Sequence, residues 1–332
     1  MYEIDDAEIA RGCYVHPEIS FSKTEVPQSV FETPGMVSIA ERKLLYSLAS
    51  KNFQQKGYIV DAGSFMGASV VSLAHGLMSN SDFSNNRNSN ILDSKPISSY
   101  ELGFLPKPAN GSDRVWECDS LTYKFGESFV PILENSISPF QSLIELNIGD
   151  FNEFSWPDNP IEICFIDVCK TQDLNKHVSA EFMPKLIEGE SFFINQDFFF
   201  DRLPWIKVTM GYLEDYFDWY GQVFSSSIYK CKKPIPKEVA EYDPFTEASL
   251  KECLKLHDNH PKEHLTDAHK LRMCLSRSYL IAMKGDKDEA LDYLKVVESD
   301  YEHMMDENTS IDRNDRFRFN RAVRQIKSGI FS

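Results

Sequence analysis

A chain of 332 residues, 42% hydrophobic and 26% charged, is long enough for one large core plus a smaller appended unit. Its apolar runs fall far short of the ~20 residues a membrane-spanning helix needs, and the acidic start, MYEIDDAEIA, lacks the basic-then-apolar pattern of a signal peptide. The net charge of −16 repels nucleic acid and anionic membrane, and the four lysines between Lys230 and Lys237 form too short and proline-broken a patch to reverse this, so a small-molecule partner is expected.

Seven scattered cysteines, Cys13, Cys118, Cys164, Cys169, Cys231, Cys253 and Cys274, form no CxxC pair and read as reduced thiols of a cytoplasmic protein. Residues 1–35, with Pro17, Pro27 and Pro34, have no period and read as an extended N-terminal arm. From Met36 the spacing of Leu44, Leu45 and Leu48 predicts a helix, with Ser38 as its N-cap. Tyr58 to Val60 predicts a buried strand, and an apolar pattern from Ser69 predicts a helix. The Asn- and Ser-rich segment 79–95 predicts a surface insertion, and Ile97–Leu102 a second strand. Gly103–Leu121, around Trp116, reads as an irregular loop. A helix from Gly126 to Ile137 follows, then strands at Leu143–Ile148 and Ile161–Val168, a helix at Leu174–Ile187 and a fifth strand at Ser191–Gln196. Trp205–Phe217 predicts an amphipathic helix, and Gln222–Lys230 a closing strand or hairpin.

Strands alternating with helices predict an α/β fold with a mostly parallel sheet covered by helices on both faces. From about Pro236 the pattern is helical only. Thr246 is placed to cap a helix running to His257, Thr266 a second to Lys284, Gly285-Asp286 makes a turn into a third, and Asp312–Ile330 forms a fourth. GDKDEALDYL resembles half of a tetratricopeptide repeat, but one copy is not an array, so the unit reads as a helical appendage for packing or for pairing with a second copy of the chain. The division is therefore an arm at 1–35, a core domain at 36–235 and an appendage at 236–332.

Between the first strand and its helix lies Asp61-Ala62-Gly63-Ser64-Phe65-Met66-Gly67-Ala68-Ser69. A strand that turns into a helix over glycines is a ligand cradle, since the helix N-terminus has unpaired N–H groups and glycine lets a ligand approach the backbone. The dinucleotide fingerprint G-x-G-x-x-G needs glycine where Phe65 stands, and Asp61 is poorly placed beside phosphates. An acidic residue suits a ligand carrying an amine and a sulfonium. The loop resembles the first motif of the Rossmann-like (class I) S-adenosylmethionine methyltransferases. That resemblance covers about residues 35–232 and implies a seven-stranded sheet. It also implies donor contacts from Asp61, Ala62, Gly63, Ser64, Phe65, Gly67 and Ser69. Glu101, ending the second strand, would meet the ribose hydroxyls, and Asp150 the adenine side.

Asp167-Val-Cys-Lys170 after the fourth strand, with Gln196-Asp197 after the fifth, looks like the metal site of catechol O-methyltransferase. The resemblance implies Asp167, Gln196 and Asp197 as magnesium ligands and Lys170 as the base that deprotonates an acceptor hydroxyl. The order of acid and amide is reversed here. The macrocin O-methyltransferase family is similar too, through this layout and the Gly35-Met36 segment, with Lys170 in place of its histidine and Gln196 in place of an acid. A dication and burial both lower a lysine's pKa, so Lys170 is expected to be poised as a base. The implied function is methylation of a hydroxyl on a small molecule, a sugar or secondary metabolite. His177 is a backup base. The aromatic stretch Phe198–Trp205, with Asp201 and Arg202, and the side chains of Trp116 and Tyr123 are candidate acceptor walls. His257, His260, His264 and His269 are split by Pro261 in a polar segment and read as solvated. Two rival functions are a nicotinamide-dependent oxidoreductase on the same architecture and a non-catalytic donor-binding protein whose appendage recruits a partner.

Overall fold

The computed structural model describes residues 12–86, 95–107, 113–118, 121–305 and 313–331. In chain order the strands are β1 (Tyr14–Val15), β2 (Tyr58–Ala62), β3 (Ile97–Glu101), β4 (Val115–Cys118), β5 (Leu121–Lys124), β6 (Ile144–Ile148), β7 (Ile161–Ile166), β8 (Phe192–Asn195), β9 (Phe217–Val223) and β10 (Ser226–Cys231). Eight of them form one sheet in the order β1-β9-β10-β8-β7-β2-β3-β6. The five from β8 to β6 are parallel. β10 runs antiparallel to β8 and β9, and β1 is antiparallel to β9. This is the expected Rossmann-like α/β architecture, with one strand more than the seven anticipated. The extra strand comes from the N-terminal arm. Two residues carry no readable period, yet they pair with β9 and cover its otherwise open edge.

Alternation along the central strands sends side chains to two cores. Ile59, Ile97, Ile163, Phe165 and Ile194 join the helices Ile39–Ser47 and Ala68–Met78 on one face. Val60, Ala62, Cys164, Ile166 and Phe193 join the helices Gln172–Phe182 and Pro204–Tyr212 on the other. Ser38 caps the Ile39–Ser47 helix as expected, within a capping box completed by Glu41. The arm is tied down by the buried Arg42, whose guanidinium donates to the carbonyls of Val30, Phe31, Thr33, Gly35 and Val37.

Several boundaries differ from the sequence expectations. The supposed irregular loop contains the β4–β5 hairpin, paired Val115↔Lys124 to Cys118↔Leu121. Within 79–95, Ser81–Asn86 is helical, started by Asn80 Oδ1 accepting from the N–H groups of Asp82 and Phe83, while 87–94 lie outside the described residues, as do the acidic residues 1–11. The helix beginning near Trp205 stops at Tyr212, and Phe217 instead opens β9, paired with Cys231. Thr246 is not the cap of the next long helix. Asp243 caps the short turn Pro244–Glu247, and Ser249 caps Leu250–Asp258.

Thr266 does cap Asp267–Lys284, and Asp286 caps Lys287–Asp300. These two helices and Arg313–Ser328 share a core that includes Leu271, Leu275, Tyr279, Leu294 and Phe319. A further cluster of Val208, Phe245, Cys253 and Leu280 joins them to the sheet-covering helix Pro204–Tyr212. The expectation of solvated histidines fails for His257, His260 and His269 but holds for the exposed His264. His257 and His269 are buried, His260 Nε2 meets the Lys207 carbonyl at 2.9 Å, and His264 stacks on Tyr14 at 3.7 Å. They line the seam between the appended helices and the sheet, where burial favours the neutral imidazole of His257, His260 and His269. No helix among the described residues is long and apolar enough to cross a membrane.

Candidate functional site

From β2 the chain proceeds to β3 and β6 on one side and returns to β7 on the other. Such a reversal opens a crevice outside the carboxyl ends of the strands. Four of these ends, those of β2, β3, β7 and β8, bring together Asp61–Ser69, Glu101, Asp167, Lys170, Gln196 and Asp197.

The glycine turn is built backbone first. Gly63 donates to the Tyr100 carbonyl at 2.9 Å, and the Asp167 N–H donates to the Ala62 carbonyl at 2.7 Å. At Gly63 φ is +95°, and a Cβ there would lie 2.9 Å from the Asp167 carbonyl oxygen. Only glycine both adopts that φ and lets the turn cross the end of β7. Gly67 donates to the Ser64 carbonyl at 2.8 Å and precedes the Ala68–Met78 helix, whose N-terminus has no side-chain cap. Its first N–H groups therefore lack intrahelical partners, as a ligand-binding turn requires.

Asp61 is wholly buried and acts on the loop itself. Its Oδ2 accepts from Ser64 Oγ at 2.5 Å, and Ser64 Oγ lies 2.5 Å from Ser99 Oγ on the neighbouring strand. Burial raises its pKa to about 6, against the pull of the Ser64 hydroxyl. Asp61 Oδ1 and Ser69 Oγ are buried without a geometrically satisfactory hydrogen-bond partner. Glu101 stands at the loop mouth, accepting from the Phe65 N–H at 2.6 Å through Oε2 and from the Gly103 N–H at 3.2 Å through Oε1. Burial pushes its carboxyl up, opposed by those N–H groups.

Phe65, where the dinucleotide fingerprint would need glycine, packs against other aromatic rings. With φ at +48°, it turns into an aromatic cluster with Trp116, Tyr123 and Phe129, at ring separations of 5.1, 5.9 and 4.8 Å. Trp116 and Tyr123 thus pack on the glycine loop. Asp150 is exposed and caps the turn Phe151–Glu153, accepting from the Asn152 N–H at 2.9 Å.

Parallel pairing of β7 with β8 sets Asp167 beside Gln196 and Asp197, and the Gln196 N–H donates to the Ile166 carbonyl at 2.9 Å. The turn after Asp167 is braced by Trp205 Nε1, which donates to the Cys169 carbonyl at 3.0 Å. Lys170 Nζ lies 2.5 Å from Asp167 Oδ1 and also donates to Asp197 Oδ2. Burial pulls the lysine's pKa down, but the charges of Asp167 and then Asp197 outweigh it and hold the ammonium protonated above its ordinary range. The expected lowering is reversed, so Lys170 is not poised as a base. Burial also raises the Asp167 carboxyl. The Lys170 charge opposes that shift and the Asp197 charge adds to it.

Gln196 turns aside, with Nε2 donating to Ser225 Oγ at 2.9 Å and Oε1 buried without a partner. Among the described residues no three His, Cys, Asp or Glu side chains are grouped as metal ligands. The two carboxylates share an ammonium where a dication would sit, and the Gln196 amide is held by Ser225 through its nitrogen. These residues do not fit a bound magnesium ion.

The loop after β8 is held from below. Phe198 and Phe199 are core residues, and the buried Lys207 donates to the carbonyls of Phe200 at 2.6 Å and Leu203 at 3.2 Å, its pKa pushed down to about 7 by burial. Asp201 is not an acceptor contact. It is fully buried against Arg318 and Arg321 of the last helix, while Arg202 lies over the Phe200 ring at 5.0 Å. His177 is 2.9 Å from the Phe154 carbonyl and packs on Phe151, a structural placement. Sequence reading missed Ser64, Ser99 and Ser225 as a polar underlayer and Lys207 as a brace. Seryl side chains and a lone helical lysine carry no local signal of burial.

No protein-family model and no curated relative matches this sequence. Among solved structures, the chain is similar to that of a candidate RNA methyltransferase from Pyrococcus horikoshii, at 14% identity and a TM-score of 0.35, over 70% of this chain and 98% of that one. At that TM-score the likeness says nothing about the chemistry of this chain.

Proposed function

We propose that this chain is an S-adenosylmethionine-dependent methyltransferase acting on a hydroxyl of a small molecule. The observation that carries this reading is Glu101 at the mouth of the glycine turn, its carboxylate already taking the Phe65 N–H. A pyrophosphate placed there would meet a carboxylate instead of free N–H groups. A sulfonium donor with an amine and a ribose diol suits an acidic mouth, since a carboxylate accepts from both hydroxyls of a diol. Asp61 supports the same loop from beneath through Ser64. The donor, when bound, supplies a methyl group on a positively charged sulfur.

What the chain adds is placement. The ends of β7 and β8 carry Asp167, Lys170 and Asp197 beside the glycine turn, and in this reading the two carboxylates and the ammonium orient the acceptor hydroxyl. In-line placement of acceptor and sulfonium accounts for much of such a rate. With Lys170 held as an ammonium, the hydroxyl proton passes to a carboxylate oxygen of this pair or to water. Isothermal titration calorimetry tests the reading. S-adenosylhomocysteine is expected to bind saturably and NAD not at all. NAD binding without S-adenosylhomocysteine binding would replace the methyltransferase by an oxidoreductase.

A further inference from the structure

We propose that Lys170 is a tethered cation occupying the place where a divalent ion would be held, so that the acceptor's oxygen is met by an ammonium and no metal is recruited. This deepens the acceptor site described above and rests on that reading for the acceptor's identity.

Three features carry it. The ammonium is shared by one oxygen each of Asp167 and Asp197, which come from neighbouring strands and are only 16% and 12% exposed. The lysine follows Asp167 by three residues in a turn fixed by Trp205, so the cation belongs to the same rigid edge as its anions. The Gln196 side chain, the third ligand a metal would recruit, is held through its Nε2 by Ser225, which itself leans on the buried Glu41. Magnesium prefers an octahedral set of oxygen ligands and keeps several waters. Two carboxylates with a lysine between them offer that ion neither room nor a complete shell.

The substitution has a chemical consequence. An ammonium has three N–H donors, of which the two carboxylates take two. The side chain is 53% exposed, so the third can reach an oxygen in the crevice. One hydrogen bond to one oxygen then anchors the acceptor, whereas a metal site favours two chelating oxygens of a diol. The acceptor class is thus a single hydroxyl with no vicinal partner requirement.

Manganese(II) binding to the full chain, followed by electron paramagnetic resonance of the free aqua ion, reads the site without any donor or acceptor. Wild type is expected to leave manganese free. Lys170→Ala uncovers two adjacent carboxylates and is expected to bind one ion about tenfold or more tighter, and Lys170→Ala/Asp197→Asn to lose that gain. Lys170→Gln repeats the test should the alanine variant fold poorly by circular dichroism. Wild-type binding that disappears in Asp167→Asn would overturn the proposal, as would a folded Lys170 variant with no gain. Failure of S-adenosylhomocysteine to bind would instead remove the methyltransferase reading and leave the manganese result standing.

Discussion

The last helix reaches back to the loop that follows β8, and its grip can be measured. Arg321 Nη2 lies 2.8 Å from both carboxylate oxygens of Asp201, and Arg318 Nη1 lies 3.0 Å from Oδ1. Asp201 is fully buried, whereas Arg321 and Arg318 keep 15% and 23% of their side-chain surface. Arg321→Met keeps much of the apolar stem and removes the guanidinium, with its two contacts to Asp201 and its place over the Phe200 and Phe317 rings. Stripping one partner from a buried pair costs ~3–5 kcal/mol because the other charge is stranded. Arg318 remains and compensates part of it, so about 2 kcal/mol is expected here. Asp201→Asn removes the stranded charge, so the double variant should cost less than the sum of the singles, with a coupling of about 1–2 kcal/mol. Urea unfolding followed by far-UV circular dichroism at pH 7 gives all four corners of the cycle. An Arg321→Met variant within ~0.5 kcal/mol of wild type, or strictly additive singles, would refute the idea that this pair fastens the helix to the loop.

The remaining predictions concern the seam and the site. His269 is buried, with Nε2 2.7 Å from the Phe224 carbonyl, and burial lowers its pKa from 6.5 to about 4. Below pH 6.5 the unfolded chain therefore binds a proton that the folded chain refuses. Its contribution is complete above that pH and falls by about 1.4 kcal/mol per unit as pH drops toward 4. His269→Gln should flatten the acid limb of a stability–pH profile by that slope, and an unchanged limb would count against the assignment. Gly63→Ala forces a Cβ to 2.9 Å from a backbone oxygen at a φ of +95°, so a loss of ~1–3 kcal/mol in thermal or urea unfolding is expected, and an unperturbed Tm would contradict the turn geometry. Glu101→Ala removes a charged acceptor from the loop mouth and should weaken S-adenosylhomocysteine binding by about 1.5–3 kcal/mol in calorimetry. Unaltered affinity would move the ribose contact elsewhere.

Local order in the chain was readable where a segment's own residues decide its conformation. The apolar strands β2, β3 and β7, the Ser38 and Thr266 caps and the strand–glycine–helix turn all follow from periodicity, hydrogen-bonding side chains at helix starts, and the φ that Gly63 alone tolerates. The acids at the strand ends were legible for the same reason, since a parallel strand presents its carboxyl end to one edge. β1 was not legible because its partner strand β9 is distant in sequence, and the β4–β5 hairpin was not because its four-residue strands are too short to show a period.

Tertiary structure decided what each group does at the site. Lys170 and Asp197 are 27 residues apart and meet only because β7 and β8 lie side by side. That meeting reverses the sign of the lysine's pKa shift, since a pKa responds to charges within a few ångströms and the sequence states no distances. Phe65 was readable as an obstacle to pyrophosphate, but its ring turns into the β4–β5 cluster and its N–H meets Glu101, 36 residues later. His257 and His269 likewise have a polar local sequence and a buried location, because the sheet and the appended helices close over them from outside that segment. The order of residues along the strands determines which groups stand at the edge of the sheet. Packing across strands fixed which of them are free, which are paired, and which are charged.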